Sequence, residues 1–179
     1  MKFSQLFIAT ILAGTFWLQA CTMPAWVNTA ESDAAVAAPI AASLIDVVDP
    51  PLAPIVTLIE NGFSALVKTL DTYKSIPTAT NLQAVQSTFA AINANMAQLE
   101  SAAQIKSAPS QDAEASIIQL LEQAVTEIAA LVPSQAGLAV THSVAATPPA
   151  PIAKGWKAQD FKREYNKLVK GDPRFKPLV

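Results

Sequence analysis

Few residues of this chain have side chains able to do covalent chemistry, and their placement excludes most of it. There is one cysteine, Cys21, and one histidine, His142. A single thiol and a single imidazole cannot make a structural metal site, which takes four clustered ligands. A Ser/His/Asp set needs its histidine held on a framework, but His142 lies in a proline- and alanine-rich stretch and reads as a solvated linker residue. The five glycines form no phosphate-binding loop. Asp112 and Glu114 make a carboxylate pair, yet they stand at the start of a helical pattern, where acids favour the macrodipole. No internal disulfide can form. The expectation is therefore a protein that is not an enzyme, with no cofactor and no metal. Two features remain: a nucleophilic sulfur at the end of an apolar run, and basic and aromatic residues crowded into the last 26 positions.

The apolar run gives Cys21 its context. Lys2 and the terminal amine make a short positive start, and the segment from Leu6 to Leu18 is almost wholly apolar over 13 residues. A membrane-spanning helix needs about 20, while the core of a secretory signal needs about 7–15. The run ends in Leu18-Gln19-Ala20-Cys21. A small residue just before a cysteine, after an apolar run of this length, resembles the lipobox of bacterial lipoproteins. Gln19 departs from the small or β-branched residue usual in that class. The resemblance covers residues 1–22 and implies processing and location, not a fold. It implies that the signal 1–20 is removed, that the Cys21 sulfur receives a diacylglycerol, and that the new amine is acylated, as with palmitate. Thr22 follows the cysteine where an aspartate would resemble an inner-membrane retention signal. The resemblance thus implies the periplasmic face of the outer membrane. One acyl chain holds only marginally; two or three make an effectively permanent anchor. Trp26, five residues on, fits either the headgroup level of a membrane or simple packing on the fold.

The elements that follow read as helices. Hydrophobic residues make up 51% of the chain and mean hydropathy is +0.32, much of it from alanine, a strong helix former of small volume. A first, shorter helix is expected from Val36, Ile40, Leu44 and Val47 or Val48, either kinked at Pro39 or starting there. After a break at "DPPLAP", capped by Asp49, a second helix carries Leu52, Ile55, Ile59, Phe63, Leu66, Leu70 and Tyr73. A third opens at Thr80-Asn81-Leu82-Gln83, which fits a capping box, and carries Leu82, Val85, Phe89, Ile92, Met96, Leu99 and Ala103. Gln86 falls on its amide-rich outer side. A fourth carries Ile117, Leu121, Ala124, Ile128 and Leu131, beside a second row of Ile118, Val125 and Val132. So wide an apolar face contacts two neighbours in a bundle. The fold class is all-α: a small antiparallel helical bundle of three long helices plus the shorter first one. Oligomerisation would help bury the second row.

The expected division is a signal at 1–20, a lipidated approach segment at 21–35, the bundle at 36–132, a Pro/Ala-rich linker at 133–153 and a basic aromatic tail at 154–179. Within the tail, Ala158 to Lys170 reads as a short helix that stops at Gly171. The tail holds eight Lys and Arg against three acids, a net of +5, while residues 21–153 hold three bases against eleven acids, a net of −8. That step suggests a docking module. Its candidate partner-binding residues are Trp156, Lys157, Phe161, Lys162, Arg163, Tyr165, Lys167, Lys170 and Arg174. The partner is expected to be acidic: peptidoglycan, another envelope protein or the bundle itself. Nucleic acid is not expected for an exported chain. The functional expectation is a membrane-anchored structural or adaptor lipoprotein. The alternative is a membrane-active, lysis-type envelope lipoprotein, similar in architecture to phage outer-membrane spanin subunits, which are generally smaller.

Overall fold

The computed structural model describes residues 24–104, 112–133 and 155–179. The signal segment with Cys21, most of the Pro/Ala-rich linker with His142, and the break after the third helix lie outside the described residues. Every regular element among the described residues is a helix: α1 Ala25–Leu44, α2 Ala53–Ser75, α3 Ala79–Gln104, α4 Asp112–Leu131 and α5 Ala158–Leu168. The chain folds as a helical bundle. None of these helices is long and apolar enough to cross a membrane.

The first helix departs most from expectation. It begins at Ala25, well before Val36, so residues 25–35 are part of the packed structure and not an approach segment. It is as long as α4. Its buried row is Val27, Ala30, Ala34, Ala37, Ala41, Leu44 and, just past its end, Val48, with spacing that alternates strictly between three and four. Pro39 neither starts nor ends the helix. It lies on the exposed face, where water can take up the Ala35 carbonyl left without its N–H partner.

In α2 the buried row is Leu52, Val56, Ile59, Phe63, Leu66 and Leu70, so Val56 takes the place expected for Ile55. Asp49 does not cap this helix: its N-cap is Leu52, with a proline in the first turn. The cap of α3 is likewise two residues earlier than expected, since Thr78 Oγ1 accepts the Asn81 N–H at 3.2 Å. The rows expected for α3 and α4 are buried from Val85 to Leu99 and from Ile117 to Ile128, and Leu120 joins them.

Small residues set how closely the helices approach. The alanines of α1 let α2 lie against it. Gly62 of α2 faces Ile92 of α3 so closely that a Cβ there would stand 2.7 Å from Ile92 Cγ1. Helix ends pair in a consistent way. Trp26, near the start of α1, stacks on Tyr73, near the end of α2, with ring centroids 5.8 Å apart, and Glu31 and Lys74 form an ion pair at 3.3 Å beside them. Gln86, near the start of α3, donates to the Pro133 carbonyl just past α4 at 2.6 Å. Gln86 is thus 5% exposed and bridges two helices, contrary to its expected place on the outer surface. α1 also packs on α4 and on α5.

Candidate functional site: the seat of the C-terminal segment

The C-terminal segment packs on the groove between α1 and α4. It begins at Gly155, which adopts φ +106°, a conformation that side-chain-bearing residues rarely enter. The Gly155 N–H donates to both oxygens of Glu127, at 3.3 and 3.2 Å, and Gln123 Nε2 donates to Glu127 Oε1 at 2.8 Å. Next, α5 starts with an internal cap: Asp160 Oδ2 accepts the Lys157 N–H at 3.0 Å. Lysine has no acceptor, so only this half of a capping box exists.

α5 is amphipathic. Phe161, Tyr165 and Val169 are buried in the same core as the bundle, with Phe175 beyond the helix. Trp156 is half-buried and meets the Phe161 ring edge-on at 5.4 Å. After the helix the chain reverses through a turn closed by the Asp172 N–H to Val169 carbonyl bond at 3.1 Å, with Gly171 at φ +92° in the third position, which demands positive φ. The final residues return along α5. Asn166 holds them at both edges of its amide, donating to the Leu178 carbonyl at 2.9 Å and accepting the Leu178 N–H at 2.7 Å. The Tyr165 hydroxyl donates to the Lys176 carbonyl at 3.2 Å.

Beneath the start of α5 lies Asp33 of α1. It is 1% exposed, and neither of its oxygens has a donor in hydrogen-bond geometry among the described residues. Burial pushes its pKa up to about 6. The nearby Ala158 N–H pulls it part of the way back, and the charges of Glu127 and Asp160 push it up again. A second perturbed acid, Glu122 on α4, is pushed up to about 7 by burial and by the charge of Glu100 on α3. At the other end of the seat, burial and the Asp49 charge raise the Glu114 pKa, and the Arg174 charge opposes them. No cluster of three or more His, Cys, Asp or Glu suited to a metal occurs among the described residues.

The nine residues expected to meet a partner therefore divide. Phe161 and Tyr165 face inward and are fully buried, so they cannot contact an outside partner while the segment is seated. The reason is the helical period: the aromatics share one face and the charges the other. Lys157, Arg163, Lys167, Lys170 and Arg174 are exposed and Lys162 partly so. Three of the tail's bases are met by its own acids: Arg163 by Asp160 at 2.7 Å, Lys167 by Glu164 at 3.1 Å and Arg174 by Asp172 at 2.7 Å. Asp160 and Asp172 have lowered pKa values, through hydrogen bonds from the Lys157 N–H and from Arg174 respectively. The bundle's acids that lie beneath the start of the segment are thus Asp33 and Glu127, which the sequence reading did not single out. Their signal was weak: each is an acid on the flank of an apolar row, at positions remote from α5 in sequence.

Comparison of the chain with protein-family models, with curated proteins and with solved structures finds no match in any of the three.

Proposed function

We propose that the protein is a lipid-anchored periplasmic lipoprotein of the outer membrane, a structural or adaptor module with no catalytic role. The observation that carries the reading is Leu18-Gln19-Ala20-Cys21 at the end of a 13-residue apolar run. Acylation at Cys21 would fix the molecule to the membrane just ahead of α1, which begins at Ala25. The finer architecture is an antiparallel bundle, and the pairing of helix ends (Trp26 with Tyr73, Gln86 with Pro133) supports it. The adaptor surface is the outer face of α5 and the turn after it, where Lys157, Lys162, Lys170 and Lys176 have no acid within ion-pair distance among the described residues. A partner of acidic character, peptidoglycan or an envelope protein, suits that face. Because the seated aromatics are turned inward, its attachment rests on charge and fades with salt.

Two measurements test this. Mass spectrometry of the membrane fraction should find Cys21 as an acylated first residue; a Cys21→Ser chain of unchanged mass that stays equally membrane-bound counts against the anchor. Retention of the purified protein on peptidoglycan or solubilised envelope should be strong at low salt and lost at high salt. A chain with Lys162, Lys170 and Lys176 changed to Glu should not be retained. Equal retention of both chains removes the adaptor face.

A further inference from the structure

The start of α1, the end of α2, the start of α3, the end of α4 and the start of α5 all come together at one end of the bundle. The Trp26–Tyr73 stack, the Asn81 to Ile76 bond at 2.7 Å, the Gln86 to Pro133 bond and the Glu127–Gly155 bonds place them there. This end gathers both tryptophans of the sequence beyond residue 20, Trp26 and Trp156, each half-buried against the core. Tyr73 lies between helices beside Trp26. Ile76, in the turn between α2 and α3, is 58% exposed, one of only three large apolar side chains so exposed among the described residues. Lys74 and Lys157 flank the group, Lys74 paired with Glu31. Asp71 is the exposed acid nearby.

Tryptophan and tyrosine rings concentrate where one side is apolar and the other wet, and lysine side chains reach past such a zone to the headgroups. The same end carries the start of α1, which opens just after Pro24, three residues beyond Cys21 in the sequence. We propose that this end is a membrane-facing surface: Trp26, Trp156 and Ile76 rest at the headgroup level of a phospholipid bilayer, and the bundle stands on that end. The proposal rests on the membrane attachment argued above and adds an orientation. With α1 following Cys21 so closely, there is little chain to let the bundle lie elsewhere. Four residues at about 3.5 Å each span only about 14 Å.

The test uses the full chain carrying Trp17→Phe, recovered from membranes and placed in vesicles of phosphatidylethanolamine and phosphatidylglycerol. Single-tryptophan forms are made with Trp26→Phe or Trp156→Phe, and the vesicles contain lipids brominated at shallow or deep acyl positions. Both tryptophans should lose emission, most with the shallow bromines, and Ile76→Asp should lessen that loss while leaving the helical circular dichroism unchanged. A chain with acyl mass at Cys21 whose tryptophans are not quenched overturns the orientation and leaves the anchor standing. A chain that is bound and quenched but not acylated keeps the orientation and removes the anchor chemistry. A chain that does not associate with membranes at all overturns both.

Discussion

α1 has two kinds of neighbour. Against α2 it offers alanines and leucine, with the Trp26–Tyr73 stack and a single partly exposed ion pair, Glu31 to Lys74, at one end. Against α5 it offers Asp33, joined by Glu127 of α4, and the contact there combines four large apolar side chains with carboxylates placed next to backbone N–H groups. The first contact rests on apolar packing and depends little on solution conditions, since a partly exposed ion pair contributes at most about 1 kcal/mol. The second responds to pH and to the exact backbone shape at Gly155. The bundle and the seated segment therefore share one core but have different reasons to stay together.

The largest expected effect tests whether that distinction is real. Phe63→Ala empties the centre of the bundle and should cost about 3–5 kcal/mol, lowering the whole thermal transition. Phe161→Ala removes an equally buried ring from the segment. It should expose residues 155–179 to protease while the main transition moves little. Equal losses in the two variants would mean one cooperative unit and erase the contrast.

The next effect concerns pH. Asp33 holds its proton more tightly in the folded protein, at about 6, than an unfolded aspartate does at about 4. The folded state binds the extra proton, so the stabilisation is complete below pH 4 and is lost as pH rises through 6. Glu122, beside Glu100 of α3, gives the bundle itself a trend of the same sign, lost as pH rises through about 7. Protease resistance of the segment should fall from pH 4 to pH 7, and Asp33→Asn should flatten that fall by on the order of 2 kcal/mol. The bundle's side of the comparison sharpens with Gly62→Ala. Alanine gains about 1 kcal/mol of helix propensity, but its Cβ would press on Ile92, and overpacking costs about 1–3 kcal/mol. A net loss is expected in urea melts, and it should shrink when Ile92 is also changed to Ala. The smallest effect is that of Gln86→Ala, about 1 kcal/mol from the lost bond to Pro133, seen as a shift in melting midpoint; no shift would place Gln86 back on the surface.

The rows of α2, α3 and α4 could be read from the sequence because large aliphatic residues stood against polar ones. α1 could not. Its row of alanines has the right spacing, but Ala35 and Ala42 outside the row are alanines too, so size and hydropathy gave no contrast. In α2, Ile55 and Val56 are both β-branched, and only the strict alternation from Leu52 to Leu70 separates them. The inward turn of Phe161 and Tyr165 was visible as amphipathicity, but what they would face was not. A charge step of −8 to +5 says that two segments attract something; it does not say that the contact is made by aromatics while the lysines look outward. Asp33 and Glu127 were legible only as acids near apolar rows: Glu127 is met by the Gly155 N–H, a group every residue but proline has, and Asp33 has no donor in hydrogen-bond geometry among the described residues.

Glu127 lies about 6 Å from the end of α4 at 1.5 Å per residue, and Gly155 is bonded to it, so the connection 134–154 starts and ends at nearly one place. Its 21 residues cannot reach beyond about 70 Å even when fully drawn out. A segment lifted from its seat thus stays confined to a small volume, at an effective concentration of about 1 mM toward the groove it left. Any outside ligand for the inward face of α5 competes with that local supply. A weak ligand taking the aromatic side would be outcompeted by the chain's own groove, whereas one taking the lysine side meets no such rival.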